Sequence, residues 1–136
     1  MKMMVFAALL ALLPAAALAG EAEQSAARSV VGAQIEAFLN GDFEKAYTFA
    51  SPGIRQKFPT LEQFMTMVQR GYQPVFRPGN YGFGRIEERG GEIVLEVLIS
   101  GPDGKDYTAI YFMERQDDGS WKIAGVNIRQ GAAGLI

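Results

Sequence analysis

Apolar residues in the first half of this chain recur at helical spacing. Between residues 21 and 40 they lie on one side of a 3.6-residue period, which predicts a helix with one buried stripe. Gly41 is placed to end that helix in a left-handed conformation, and Asp42 to cap a second helix over residues 42–50. The stripe of the first helix consists of Val30, Val31, Ile35, Phe38 and Leu39.

Two more helix starts follow. Ser51 can cap a helix whose first residue is Pro52, a position that needs no amide hydrogen. Thr60 and Gln63 have the spacing of a capping box, which predicts a further helix that ends at Gly71. The buried stripe of this helix consists of Leu61, Phe64, Met65 and Val68. The first half of the chain is therefore expected to be helical.

The spacing changes after Gln73, where prolines and Gly79 interrupt helices and β-prone residues take over. Strands are predicted over residues 92–100, 105–115 and 121–129, with a weaker strand over residues 81–88. The turns at 101–104 and 117–120 contain the residue types that hairpins require. These strands should form an antiparallel sheet in which sequential strands are neighbours.

The faces of this sheet depend on register. Pairing Ser100 with Lys105 would place the core on the face of Ile93, Leu95, Val97, Ile99, Ile110 and Phe112. The opposite face would then gather Val94, Glu96, Leu98, Tyr107, Ala109 and Tyr111. Because a sheet covered on one side usually shows more charge on the other, we expect a partner or a folded-over element on this second face. The register of the last hairpin stays open, since two turn types place Trp121 on opposite faces.

The N-terminal residues 1–19 have the three parts of a secretory signal peptide. They carry one cation at Lys2, an apolar run over residues 3–13, and a small-x-small ending at 17–19. The run is shorter than the ~20 residues that span a bilayer. We therefore expect cleavage near Ala19, a periplasmic or secreted protein, and no membrane association after cleavage. The absence of Cys excludes a lipoprotein.

Residues 20–136 fit one domain, and their composition excludes several kinds of site. Loss of Lys2 would change the formal net charge from −2 to −3, and the remaining basic residues are scattered. Nucleic-acid binding, which selects clustered Lys and Arg, is not expected. The chain has no His and no Cys, so catalysis by these residues is excluded. No cofactor is predicted.

Three segments carry a resemblance to a known superfamily. They are residues 34–42, the pair Ala46 and Tyr47, and the Asp-Gly-Ser-Trp-Lys-Ile run at 118–123. With helices before an antiparallel sheet, the chain resembles the nuclear-transport-factor-2-like superfamily, also called cystatin-like or SnoaL-like. Residues 50–59 and the helix after them resemble an uncharacterised bacterial domain-of-unknown-function family within it. The resemblance implies an α+β fold in which helices cross a cone-shaped sheet and leave a pocket at its open end.

Enzymes of that superfamily, such as ketosteroid isomerases, use an acidic base and hydrogen-bond donors in the pocket. The residues that could take these parts here are Glu96 or Asp106, and Tyr107 or Tyr111. No catalytic motif of the superfamily matches them. A carboxylate such as Glu96, buried without a partner, would favour its protonated form, as a base acting near neutrality requires. The alternative is a structural carboxylate that reaches solvent or pairs with an arginine such as Arg85.

The connection between the last helix and the sheet holds further candidates: Tyr72, Arg77, Tyr81 and Phe83. These side chains could line a pocket mouth or close the open end of the cone. Asp117 and Asp118 resemble part of a calcium loop, but a hairpin turn explains them, and no metal site is predicted. The tail at 132–136 is too short to span a membrane and should fray or dock on the sheet.

Three functional hypotheses remain open. The first is an exported, non-enzymatic domain that binds a small apolar ligand or a protein partner through the pocket or the second sheet face. The second is a carboxylate and tyrosine enzyme of the isomerase or dehydratase type. The third is a homodimer whose sheets pack back to back.

Overall fold

The computed structural model describes residues 15–131, with side chains from residue 20 onward. Five helices precede four strands. The helices are α1 (Ala15–Leu39), α2 (Phe43–Thr48), α3 (Pro52–Lys57), α4 (Leu61–Gly71) and α5 (Gln73–Phe76). The strands are β1 (Asn80–Arg89), β2 (Glu92–Ser100), β3 (Asp106–Arg115) and β4 (Trp121–Gln130). The predicted order of helices before strands is confirmed, and the short helix α5 was not predicted.

Most of the predicted leader and the whole tail at 132–136 lie outside the described residues. Residues 15–19 are the first helical residues of α1. Signal-peptide cleavage near Ala19 therefore stays a prediction, as does the division of the chain into a leader and one domain.

Three of the predicted helix caps are present. The side chains of Asp42, Ser51 and Thr60 accept hydrogen bonds from backbone N–H groups three residues later, at 3.2, 3.3 and 3.1 Å. Gly41 has a φ of +74°, which confirms the left-handed end of α1. These local bonds set where each short helix begins, and they were readable from the residue types alone.

Helix α2 ends at Thr48, two residues earlier than predicted, because the chain there pairs with the sheet. The N–H of Ser51 donates to the carbonyl of Ile123 at 2.9 Å, and the N–H of Ile123 donates to the carbonyl of Phe49 at 2.8 Å. This short bridge fastens the α2–α3 junction to β4. A contact between positions so distant in the chain has no local sequence signal.

The four strands form one antiparallel sheet in the order β1-β2-β3-β4. Sequential strands are neighbours, as predicted, and the weak first strand is a full member of the sheet. A bulge interrupts β1 between Phe83 and Ile86, and another interrupts β4 opposite the step from Phe112 to Met113. Bulges increase twist and bend the strand that contains them.

The predicted pairing of the first hairpin was wrong by one residue. Ser100 pairs with Asp106, so the inner face of β2, with Leu95 and Ile99, is shared with Tyr111 and Tyr107. The N–H of Gly101 donates to the carbonyl of Lys105 at 2.8 Å, which lengthens the loop to residues 101–105. Because side chains alternate along a strand, this one-residue shift moves every β3 side chain to the opposite face.

The structure also determines the register of the last hairpin, which the sequence left open. Arg115 pairs with Trp121 and Met113 with Ile123, so Trp121 and Ile123 lie on the inner face with the rest of the core. Phe112 pairs with Gly125, which leaves Ala124 as the extra residue of the β4 bulge. This bulge borders the candidate site.

Two groups of buried side chains form the core. The sheet cluster joins α1 and α5 to the inner face of the sheet, through Ala27, Val31, Ile35, Val75, Ile93, Leu95, Val97, Ile99, Ala109, Tyr111, Met113, Trp121 and Ile123. The helix cluster joins the helices to one another, through Ala37, Phe38, Ala46, Ala50, Phe64, Met65, Val68 and Phe76. Helix α1 contributes to both clusters and so links the two halves of the molecule.

Candidate functional site: an apolar cavity between helices and sheet

A cavity of about 320 Å³ lies where the helix cluster meets the edge of the sheet at β4. Its walls come from α1, α3, α4, the segment around Tyr72, and residues 123–126 of β4. The volume is at the lower end of the ~300–1,000 Å³ that small-molecule pockets occupy. The lining consists of Gln34, Phe38, Ala50, Ile54, Lys57, Phe58, Phe64, Met67, Val68, Tyr72, Val75, Ile123, Ala124, Gly125 and Val126.

The cavity has a buried floor and an open mouth. The side chains of Phe38, Phe64, Val68 and Ile123, all less than 5% exposed, form much of the floor. Lys57 and Ala124 are exposed, so the mouth lies between the end of α3 and the β4 bulge. A bulge residue does not continue the regular packing of its strand, which explains why the space opens here.

The floor is stiffened by aromatic packing. The ring of Phe38 stacks on that of Phe64, with centroids 6.4 Å apart, and meets that of Phe76 edge-on at 5.8 Å. The rings of Tyr47 and Phe64 lie 4.9 Å apart. Aromatic pairs at these separations add about 0.5–1.5 kcal/mol each beyond the burial of their area. The floor is therefore preformed.

The short helix α3 is held over the cavity by contacts at both of its ends. Ser51 caps its beginning, and the Tyr47 hydroxyl donates to the carbonyl of Phe58 at 2.6 Å just past its end. The guanidinium of Arg55 lies 4.6 Å from the centre of the Tyr47 ring. These contacts fix the positions of Lys57 and Phe58, which border the mouth.

Few polar side chains line the cavity. Gln34 is 5% exposed, and its Nε2 donates to the carbonyl of Ala46 at 3.0 Å. Tyr72 and Lys57 supply a hydroxyl and an ammonium group. No Asp or Glu is among the described residues that line it. The lining is thus mostly aliphatic and aromatic, with one positive charge.

Of the residues predicted to form a pocket or interface, Tyr72 alone lines this cavity. The Tyr81 hydroxyl donates to Glu36 at 2.6 Å and ties β1 to α1. Arg77 donates through Nη1 to the carbonyl of Phe38 and lies over the Phe76 ring at 4.1 Å, which ties α5 to the end of α1. Phe83 is 38% exposed and packs beside Tyr81 and Arg28.

The proposed acid and base residues are separated by the sheet. Glu96 is on the outer face, whereas Tyr107 and Tyr111 are on the inner face. The expectation that these three residues share a face was wrong, because the hairpin register differs from the predicted one by one residue. Asp106 is exposed at the beginning of β3. The structure therefore does not bring Glu96 together with either tyrosine, whereas Asp106 and Tyr107 both line a second, more open cavity of about 390 Å³ where β1 and β3 begin.

Glu96 is 1% exposed, and its Oε1 has no hydrogen-bond partner among the described residues. Because Glu96 does not reach solvent, the alternative of a solvent-exposed structural carboxylate was wrong, and a pair with Arg85 stays a prediction. A Cβ added to Gly84 would lie 3.2 Å from the Cβ of Glu96, so the absence of a side chain at Gly84 gives Glu96 room beside the β1 bulge. Val94 and Thr108 on this outer face are also buried, while Phe112 is 39% exposed.

The tyrosines on the inner face hold their protons tightly. Burial, followed by the hydrogen bond and charge of Glu36, raises the pKa of Tyr81 to about 12. Burial, followed by the charge of Tyr81, raises the pKa of Tyr111, whose hydroxyl is buried without a partner among the described residues. The hydrogen bond between Tyr107 and Asp103 raises the pKa of Tyr107 and lowers that of Asp103. None of these groups is a base near neutral pH.

A comparison with protein-family models identifies the family of this chain. Residues 20–134 match the model described as Domain of unknown function (DUF4864). The chain belongs to this family. The predicted resemblance to an uncharacterised domain family is confirmed, and so is the predicted α+β architecture of helices on an antiparallel sheet.

The DUF4864 chain is also similar to a solved structure from Burkholderia xenovorans LB400, described as an NTF-2 like protein of unknown function. The two share 16% sequence identity with a TM-score of 0.49, over 84% of this chain and 89% of that chain. No curated protein matches the chain. The comparisons thus place the family without naming an activity.

The described part of this DUF4864 chain contains neither a metal-ligand cluster nor a membrane-spanning helix. Between residues 15 and 131, no group of three or more acidic, His or Cys side chains could hold a metal ion. Asp118 accepts from the N–H and the hydroxyl of Ser120 at 2.9 and 2.6 Å, a hairpin-turn arrangement that lowers its pKa. No helix in the described part of the chain is long and apolar enough to cross a membrane.

Sequence reasoning missed most of the cavity. Gln34, Lys57 and Phe58 lie in the segments that carry the family resemblance, and Phe64 and Val68 lie in a predicted buried stripe. The apolar pattern correctly predicted which side of each helix is buried. It does not distinguish a stripe that packs fully against other elements from a stripe that borders a cavity. Lys57 beside Phe58 and Pro59, at the end of a short helix, is a weak local signal of an exposed apolar rim.

Proposed function

We propose that this chain is an exported domain that binds a small apolar ligand in the cavity between its helices and the β4 edge of its sheet. The observation that carries the proposal is the preformed, open cavity of about 320 Å³ with an aliphatic and aromatic lining. Small-molecule sites are typically concave and mostly apolar, with a few polar groups that orient the ligand. Export is supported by the leader-like residues 1–19.

The cavity supports binding over acid–base catalysis. The carboxylates and tyrosines offered for an isomerase mechanism, Glu96, Asp106, Tyr107 and Tyr111, are absent from the lining. An acid–base group must lie within hydrogen-bond reach of the proton that it moves. A ligand in this cavity would meet Gln34, Lys57 and Tyr72 instead.

The test uses the neutral fluorescent probe N-phenylnaphthylamine with the mature protein, residues 20–136. Saturable fluorescence enhancement is expected for the unaltered protein. Ala50→Leu adds methyl groups to the floor and should weaken binding about tenfold, as a loss of about 1.4 kcal/mol would. Ala26→Leu, at an exposed position of α1, is the matched control and should bind as the unaltered protein does.

Two results would sink the proposal. One is the absence of saturable enhancement, and the other is unaltered binding in Ala50→Leu. Because Ala50 is 2% exposed and overpacking can unfold a core, Ala124→Trp provides a second variant. Ala124 is exposed at the mouth, so the tryptophan ring should obstruct entry without disturbing the floor.

Export is checked separately. Mass spectrometry of the full-length gene product, recovered from the periplasm of an expressing bacterium, should show a chain that begins near Gly20. An intact N-terminus at residue 1 in the cytoplasmic fraction would refute the export part of the proposal and leave the cavity part standing.

A further inference from the structure

The charge that borders the cavity mouth is positive. Lys57 is the only charged residue among the described residues that line the cavity. It is exposed at the last position of α3, and its ammonium group forms no ion pair with any residue in the described range 15–131. An ammonium at the rim of an apolar chamber favours a ligand with a negative group at the same end.

The neighbouring cation on α3 is already engaged. Arg55 lies over the Tyr47 ring, and Tyr47 in turn donates to the carbonyl of Phe58. That hydrogen bond satisfies a carbonyl oxygen next to Lys57, which would otherwise present a partial negative charge at this end of the helix. The positive charge of Lys57 therefore borders the mouth without an ion pair among the described residues.

The floor of the cavity differs from its mouth in charge. Its aromatic and aliphatic side chains, such as Phe38, Phe64 and Val68, offer no charge, and the carboxamide Nε2 of Gln34 is bonded to Ala46. A charged group would lose its hydration there without a partner. Only the apolar part of a ligand fits the floor.

Resting on the proposed function, we propose that the natural ligand is an amphiphile with one anionic head group beside Lys57 and a compact apolar body in the floor. Medium-chain or aromatic carboxylates have this chemistry. The cavity is at the small end of ligand pockets, which favours a compact body over a long lipid chain.

The experiment compares two probes of matched length, decanoate and decanol, in displacing N-phenylnaphthylamine at pH 8 and low salt. Decanoate should displace the dye at a concentration about two- to fivefold lower than decanol, the range that one solvent-exposed ion pair supplies. The preference should shrink at high salt, because exposed charges are screened. Decylamine, which is cationic, should displace the dye less well than decanol.

The variant Lys57→Gln should remove the preference for decanoate over decanol. Lys45→Gln is the matched control, because Lys45 is an exposed lysine on α2 outside the cavity. Equal displacement by decanoate and decanol in the unaltered protein would overturn the inference and leave apolar binding intact. A preference that survives Lys57→Gln would also overturn it. Failure of the dye and of both probes to bind, measured by calorimetry, would remove the proposed function together with this inference.

Discussion

The sheet cluster and the helix cluster are built from the same kinds of side chain but pack differently. In the sheet cluster, residues such as Leu95, Tyr111 and Met113 are at most 1% exposed on a regular strand face. The helix cluster is built from α2, α4, α5 and part of α1, and it borders the cavity. Alternating strand residues under one long helix pack without a large void, whereas short helices joined by caps leave space at their ends.

This difference in packing indicates that the two clusters have different roles. The sheet cluster stabilises the fold, because most of its side chains are packed away from the cavity, which only Val75 and Ile123 among them border. The helix cluster combines partial burial with a chamber that opens to solvent between α3 and β4. The difference in packing can be tested by making the same substitution in each cluster.

The largest contrast is expected between two methionines. Met113 is 1% exposed between its strand partners Ile93 and Ile123, and Met113→Ala should lower the free energy of unfolding by about 2–5 kcal/mol. Met67 is half-buried at the cavity wall, and Met67→Ala should cost about 1 kcal/mol, since only part of its side chain leaves an apolar environment.

Urea-induced unfolding followed by circular dichroism measures both changes. Met67→Ala should also retain N-phenylnaphthylamine binding, because the cavity becomes larger without losing its aromatic floor. Equal losses of stability in the two variants would show that the helix cluster is packed as tightly as the sheet cluster, against the comparison.

A smaller effect is expected on the outer face. Glu96→Met should raise the free energy of unfolding by about 1 kcal/mol, because it removes the buried Oε1, which lacks a hydrogen-bond partner among the described residues, and keeps a similar shape. Dye binding should not change, since Glu96 lies on the face opposite the cavity. Glu92→Met, at an exposed position of the same strand, is the control and should alter stability by no more than about 0.5 kcal/mol.

If Glu96→Met weakened dye binding while the fold stayed intact, a ligand role for Glu96 would be restored and the assignment of the site to the cavity would be wrong. Light scattering on the same samples measures whether the outer face joins two copies of the chain. A mass of one chain would exclude the homodimer hypothesis.

The smallest effect is expected at alkaline pH. The fold raises the pKa of Tyr81 to about 12, above the unfolded value near 10, so the protonated form is favoured in the folded state. This contribution is fully present below pH 10 and is lost as pH rises from 10 to about 12. Tyr81→Phe should therefore flatten the decline of unfolding free energy over that range, with part of the remaining decline due to Tyr111 and Tyr107.

Urea unfolding at pH 9, 10 and 11 tests this, together with tyrosinate absorbance, which should develop later in the unaltered protein than in Tyr81→Phe. Tyr72→Phe is a suitable control, because it removes a hydroxyl from the cavity wall and leaves the α1–β1 contact unchanged. An alkaline decline as steep in Tyr81→Phe as in the unaltered protein would contradict the assigned pKa.

Sequence patterns were sufficient wherever the cause of the structure is local. Asp42, Ser51 and Thr60 cap helices through bonds to groups three residues away, and Glu92–Ser100 forms a strand with the predicted bounds. The register of the first hairpin was missed because one backbone bond between Gly101 and Lys105 lengthens the loop. Of the candidate site, Tyr72 was predicted, whereas Gln34, Lys57 and Phe58 were not.

The sequence by itself determined the order of helices and strands, the helix caps, the antiparallel neighbours and the absence of His and Cys chemistry. These depend on residue type and on spacing within a few positions. Only the tertiary structure decided that Glu96 and Tyr111 lie on opposite faces, and that the helix stripes enclose a cavity bordered by Lys57. Each of these depends on contacts between distant segments, for which a one-residue shift or a few ångströms of space leaves no trace in the local pattern.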